Sequence, residues 1–254
     1  MNVLFLDDYE RRARLVPGLL AILPLTVLFV VLGLRRIPAA TYVTGTLALA
    51  GVGPVLIAGA VRSFGRATEQ RLWDSWGGPP TTAWLRLDAP SDDEAQQLLW
   101  RTAVETASGV ALLTLRTERR DRAKADNAIK LATKRVRDRT RDKEKFALLF
   151  NENRNYGYER NIYGLRWAAR GISLMSALGL ASYVKWVAPL LDRPQISAGN
   201  LFGLAACLFC LIGWLILPSK KRVRYAADRY ATELLHAAVT LKDESRSDHT
   251  STTP

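Results

Sequence analysis

Apolar positions gather into four runs, at 15–34, 40–61, 171–191 and 201–218, in which Lys185 is the one charged residue. Each run is close to the roughly 20 residues a helix needs to cross the hydrocarbon core. Short links, 35–39 and 192–200, join them in pairs. The pattern predicts an all-α membrane protein in which two transmembrane helical hairpins (four spans) flank a mainly helical domain at 62–170. A signal peptide is not expected, because the first run is long, Arg35 and Arg36 follow it directly, and another apolar run comes at once.

Between the hairpins the period changes. Arg62 to Arg71 reads as a helical continuation of the second span, and Gly77-Gly78-Pro79-Pro80 enforces a turn. Ser91 and Glu94 have capping-box spacing. Leu98, Leu99, Ala103, Ala107 and Val110 follow at helical intervals, so a helix over 92–117 is expected. Ile129, Ala132, Val136 and Thr140 draw a thin apolar stripe on a second, basic helix, expected to run antiparallel to the first. After the fourth run, 219–242 reads as an amphipathic helix with Tyr225, Leu234, Ala238 and Leu241 on its apolar side. The stretch 243–254 is Ser, Thr and charge, the composition of a disordered tail.

Small residues mark possible helix contacts. Thr44, Ala48 and Gly51 form a stripe at i, i+4 and i+7, and the third run holds Ser173, Ser176, Ala177, Gly179, Ala181 and Ser182. Both imply a homo-oligomer or close packing within the chain.

Charge then sets the orientation. The chain has 36 Lys plus Arg against 24 Asp plus Glu. Arg11, Arg12, Arg14, Arg62, Arg66, Arg71, Arg166, Arg170, Lys220, Lys221, Arg222 and Arg224 fall on one side of a four-span layout, opposed by Arg35, Arg36 and Arg193. The positive-inside bias therefore predicts a multi-pass protein of the cell membrane with N- and C-termini and the central domain cytoplasmic. The basic excess is concentrated at 116–145, where Lys134, Arg135, Arg137 and Arg139 form a basic surface suited to anionic lipid, an acidic partner or nucleic acid. Cytosolic placement alone would also account for it.

Familiar catalytic patterns are absent from the sequence. His236 and His249 are the two histidines, and Cys207 and Cys210 lie inside the fourth run, where packing is the simpler role. No Walker or dinucleotide-binding glycine pattern occurs. No catalytic residue, metal or cofactor is expected.

Two stretches remain as ligand candidates. In 76–82, Gly77 and Gly78 free the backbone while Thr81 and Thr82 offer hydroxyls to a phosphate or carboxylate. The alternative is a rigid loop that packs Trp73, Trp76 and Trp84 at headgroup level. In 151–164, Arg154 and Arg160 supply forks, Tyr156 and Tyr158 stacking faces, and Asn161 an amide, a set able to grip a nucleotide. The alternative is an interfacial connector that caps the third span. These two stretches resemble segments of an uncharacterised bacterial family of four-span integral membrane proteins with a cytosolic helical insert. The layout is also similar to small four-span effectors of bacterial antiviral systems. That likeness implies a cytosolic sensor controlling the membrane.

The leading expectation is a non-enzymatic, oligomeric membrane protein whose cytosolic domain senses a ligand or partner, nucleotide or protein, and alters permeability. A membrane scaffold for a cytosolic partner or nucleic acid is the alternative, followed by an inner-surface enzyme of unfamiliar class.

Overall fold

The computed structural model describes residues 7–32, 53–88, 93–190 and 197–251, with residues 248–251 described by backbone alone. Nine helices and no strand are found among the described residues: α1 Asp8–Val31, α2 Gly53–Trp76, α3 Pro80–Leu85, α4 Glu94–Ser108, α5 Leu115–Arg120, α6 Arg122–Arg139, α7 Ala147–Leu190, α8 Ala198–Ile216 and α9 Lys220–Ser251. The chain divides into two compact units, Met1–Glu69 with Gly157–Val223 and Gln70–Tyr156 with Arg224–Pro254. We refer to them as the apolar unit and the polar unit.

Among the described residues α1, α7 and α8 are long and apolar enough to cross a membrane, which marks a membrane-associated chain. Their outward residues suit lipid, for example Leu23, Phe29, Val30, Met175, Phe202, Phe209 and Ile216. The second run lies mostly outside the described residues, and with it the stripe of Thr44, Ala48 and Gly51. Its described part opens α2, which continues through Arg71 as the sequence predicts. In the third run Ser173, Ser176, Ala177 and Leu180 are buried, whereas Ala181 and Ser182 face outward. The buried Cys207 thiol lies 3.7 Å from the Pro24 carbonyl, a packing role.

The stretch 151–164 does not form a cap ahead of the third run. It is uninterrupted helix within α7, and residues 157–164 build a junction of three helices in the apolar unit. Gly157 admits Tyr9 and Ala13 of α1, since a Cβ there would stand 2.5 Å from the Tyr9 hydroxyl and 3.2 Å from the Ala13 Cβ. Gly164 admits the α2 backbone, with Phe64 O 3.0 Å from the same hypothetical atom. Asn161 is fully buried between them on the same face. Its Nδ2 donates to Ala13 O at 2.6 Å. That carbonyl lies within a π turn, Arg11–Leu15, where helical pairing is altered. The Asn161 Oδ1 meets no donor among the described residues and presses against Gly65, where a Cβ would lie 1.9 Å away. At one end of the junction Arg160 pairs with Glu69 at 2.8 Å, both largely buried, and Arg222 pairs with Glu159 at 2.6 Å.

The polar unit has its own core. Ala103, Val104 and Ala107 of α4 meet Ile129, Ala132 and Val136 of α6, with Leu234, Leu235, Ala238 and Leu241 of α9 completing it. The thin stripe on α6 is thus core-facing, Thr140 included. On α4 the sequence reading needs correction. Leu98 and Leu99 are exposed, and the buried face is made by Gln97, Arg101, Ala103, Val104 and Ala107. Tyr225 also points outward, 65% exposed.

The helix expected over 92–117 stops at Ser108. Gly109, at φ 64°, adopts the left-handed conformation that ends a helix, and its N–H returns to Glu105 O at 2.8 Å. Asp93 caps the start, accepting from Gln96 N at 2.9 Å, while Ser91 lies outside the described residues. The break at Gly109 lets the chain turn back before α6 begins, so α4 and α6 run parallel rather than antiparallel. Arg86 ties their starts: its Nε and Nη2 bind the Asp126 carboxylate at 2.8 and 2.7 Å, and its carbonyl accepts from Gln97 Nε2 at 2.6 Å. Arg135 and Arg139 tie their ends, donating to Ser108 O at 3.1 Å and Ala107 O at 2.7 Å.

The return strap is fixed by a buried pair. Arg101 donates to Leu85 O and, at 2.5 Å, to Leu113 O, and approaches Glu118 at 3.6 Å. Glu118 accepts from Leu87 N at 2.9 Å and is 1% exposed. At the C-terminus the structure departs from the expected tail, because α9 continues as helix through 243–251. Lys145 pairs with Glu244 at 2.6 Å on this added stretch.

Burial pushes the Asp228 carboxyl on α9 above its ordinary value, although Arg224 donates to it at 3.0 Å. Its Oδ1 has no hydrogen-bond partner among the described residues. The folded value exceeds the unfolded one, so this group's stabilising contribution is full below about pH 4 and is lost as pH rises through the folded value. Asp228→Asn is therefore expected to flatten the pH dependence of stability above about pH 4. Denaturant unfolding of the micelle-solubilised protein across pH checks this, and identical slopes for the two proteins would refute it.

Candidate functional site

Chain geometry at the end of α6 opens a cleft in the polar unit. Thr140 ends the helix, its N–H bonded to Val136 O at 3.0 Å. Two residues on, Asp142 Oδ1 accepts from Glu144 N at 2.9 Å and Lys145 N at 3.1 Å, turning the chain into α7. The space between this corner and α9 is a cleft of about 360 Å³ lined by Arg137, Asp138, Thr140, Arg141, Leu149, Phe150, Asn153 and Tyr230.

The lining is cationic and aromatic. Arg141 Nη2 donates to Asp138 Oδ1 at 2.7 Å, and this bond holds the Asp138 carboxyl below the usual carboxylate range. The Arg137 guanidinium has no hydrogen-bond or ion-pair partner among the described residues, and the residue is exposed, its backbone carbonyl accepting from Thr140 Oγ1 at 3.2 Å. Phe150 offers a ring with Lys143 Nζ 6.0 Å from its centre. Tyr230 is held from behind by a stack on Tyr156, centroids 6.1 Å apart and rings 7° from parallel. Glu152 and Arg229, paired at 2.7 Å, bridge α7 to α9 beside it. A guanidinium, an amide and two aromatic faces are the groups that take an anion attached to a planar ring.

The sequence-predicted site residues are dispersed differently. Of the set in 151–164, Arg154 and Tyr156 belong to the polar unit and Tyr158, Arg160 and Asn161 to the apolar unit. Arg154 donates to Asn151 Oδ1 at 2.8 Å, Tyr156 supports Tyr230, and Tyr158 packs with Ala21, Val61 and Ile162. Arg160 is committed to Glu69, and Asn161 to Ala13. Gly77 and Gly78 do turn the chain, at φ 74° and 129°, but the Gly77 carbonyl accepts from Arg86 at 2.7 Å. Thr82 is 1% exposed and Thr81 half-buried in the short α3, so that loop supports Arg86. Trp84 stacks on Trp100 at 5.6 Å, both packed against the core of the polar unit. Of the basic surface, all four residues are exposed, and Arg135 and Arg139 also cap α4.

The cleft joins one residue of that basic surface, Arg137, to Asn153 of the amide-rich stretch. Thr140, Arg141, Phe150 and Tyr230 were not expected from sequence as site residues. Tyr230 had a signal: it stands at i, i+4, i+8 and i+11 with Leu234, Ala238 and Leu241. Comparison of the chain with protein-family models, curated proteins and solved structures finds no match.

Proposed function

We propose that this chain is a non-enzymatic multi-pass protein of the cell membrane, with both termini and the polar unit in the cytoplasm, and that the polar unit senses an anionic ligand bearing a planar ring. A nucleotide is the commonest ligand of that kind. Arg137 carries the reading: an unpartnered guanidinium beside Phe150, Asn153 and Tyr230 in one cleft. The response is a change in membrane permeability by an oligomer, the role that the likeness to four-span antiviral effectors implies.

The test uses the full chain in nanodiscs with fluorescent adenine and guanine nucleotides. Binding is expected, and Arg137→Ala should weaken it about tenfold or more, the value of one charge-assisted hydrogen bond. No binding at millimolar nucleotide, or equal binding by the variant, overturns the ligand assignment. Dye release from vesicles, with and without nucleotide, tests the response separately. Release that ignores nucleotide would remove the sensing role.

A further inference from the structure

Helix α4 carries a second apolar face. Ala95, Leu98, Leu99, Thr102 and Thr106 recur at i, i+3, i+4, i+7 and i+11, a spacing that aligns them along one side of the helix. All five are exposed, Leu98 at 55% and Leu99 at 41%. Each threonine hydroxyl is spent inside the helix: Thr102 donates to Leu98 O and Thr106 to Thr102 O, both at 2.9 Å. Their methyl groups are what remains to meet a neighbour. The stripe therefore offers leucine and methyl surface along its whole length and bears no charge. The opposite side of α4 is already covered, through Ala103, Val104 and Ala107, by the core of the polar unit. A helix apolar on both sides is stable in water only when both are covered.

Charge at the two ends of the stripe decides what covers it. At the start, Glu94 and Asp93 are exposed. At the other end two guanidiniums sit over the helix terminus, Arg139 on Ala107 O at 2.7 Å and Arg135 on Ser108 O at 3.1 Å. Arg135 Nη1 also stands 4.0 Å from where a Cβ of Gly109 would be, so this cation lies beside the end of the stripe. Both arginines are exposed, and each has N–H donors beyond the one it spends on α4. An acidic start and a basic end on one apolar stripe are self-complementary. Turned end for end about a twofold axis, a second α4 brings its carboxylates to these guanidiniums and receives the same in return. Pairing in the same direction would set carboxylate against carboxylate.

We infer that the exposed face of α4 is a docking surface for a second copy of this chain, paired antiparallel across Leu98 and Leu99 with Thr102 at the twofold axis. The pairing does not depend on the ligand of the cleft, so a chain that pairs and binds no nucleotide refutes the ligand assignment alone.

The experiment is disulfide cross-linking of the full chain in proteoliposomes, joined to a measurement of the dimer dissociation constant in detergent. Thr102→Cys should give a cross-linked dimer absent from wild type, whose own Cys207 and Cys210 supply the background. A mixture of Leu98→Cys and Thr106→Cys chains should cross-link one to the other, whereas Leu98→Cys alone should not. Leu98→Gln/Leu99→Gln should weaken the dimer about a hundredfold or more, since two leucines leave the interface from each copy. Glu94→Lys should weaken it about tenfold and serves if the double variant does not fold, while Glu144→Lys, an equal change of charge elsewhere on the polar unit, should leave it intact. Cross-linking of Leu98→Cys alone, the mark of a parallel pair, overturns the proposal. So does a chain that is monomeric at every concentration, or a dimer that Leu98→Gln/Leu99→Gln and Glu94→Lys leave unchanged. Quenching of a fluorophore on Thr102→Cys by lipids with brominated acyl chains would place this face on the bilayer and also overturn it.

Discussion

Arg101→Ala is expected to destabilise the polar unit by about 3–5 kcal/mol, the usual cost of leaving a buried charge without its partner. Glu118, at 1% exposure, would face the core with only the Leu87 and Asp88 N–H groups for company. The Leu85 and Leu113 carbonyls would lose their donor at the same time. Thermal unfolding followed by tryptophan fluorescence in nanodiscs should report the loss, since Trp84 and Trp100 stack within this unit. Replacing both partners, Arg101→Met with Glu118→Leu, should recover part of it. Recovery would be incomplete because the backbone groups remain unpaired. A single variant as stable as wild type would mean that the pair does not hold the return strap.

Gly65→Ala is expected to cost about 1–3 kcal/mol in the apolar unit, the range for overpacking a close contact. Alanine improves helix propensity by roughly 0.5–1 kcal/mol, so packing and propensity oppose one another. Packing should win, because the new methyl group would meet Asn161 Oδ1 at 1.9 Å and Asn161 is held in place by Ala13. In a background of Asn161→Ala the same change should cost much less, a non-additive cycle of at least about 1 kcal/mol. Unfolding free energies of the four proteins in one detergent measure it, and strict additivity would show that Asn161 is free to move aside.

Helix content, the apolar runs and the α6 stripe were readable because each rests on local periodicity. Residues such as Ile129 and Val136 are buried for the same reason they recur every third or fourth position. Gly109 was also readable in principle, as a helix-ending glycine followed by β-branched and apolar residues. What resisted reading were features set by distant partners. Arg101 reads as a solvated position on α4, and nothing local discloses that Leu85, Leu113 and Glu118 converge on it. The stretch 151–164 misled for a related reason. Its Asn, Tyr and Gly disfavour helix individually, yet Gly157 and Gly164 are there to let α1 and α2 approach, and their packing overrides propensity. Composition suggested a single nucleotide-gripping set or an interfacial connector, whereas the residues serve two units. Arg137 was named from sequence as one cation among several. Only the fold separates it from Arg135 and Arg139, which the end of α4 occupies.

The core of the polar unit draws on both ends of a long chain interval. Ala103, Ile129 and Leu149 emerge early in synthesis, but Leu234, Leu235 and Leu241 that close over them follow only after α8. At about 5–20 residues per second the wait from α7 to the closing turns of α9 is on the order of ten seconds. During that interval the nascent chain holds an unroofed apolar surface while α8 is still to be made. Biogenesis of this protein should therefore depend on a holdase for α4 and α6, and slowing elongation through α8 and α9 should raise proteolysis of the half-made chain.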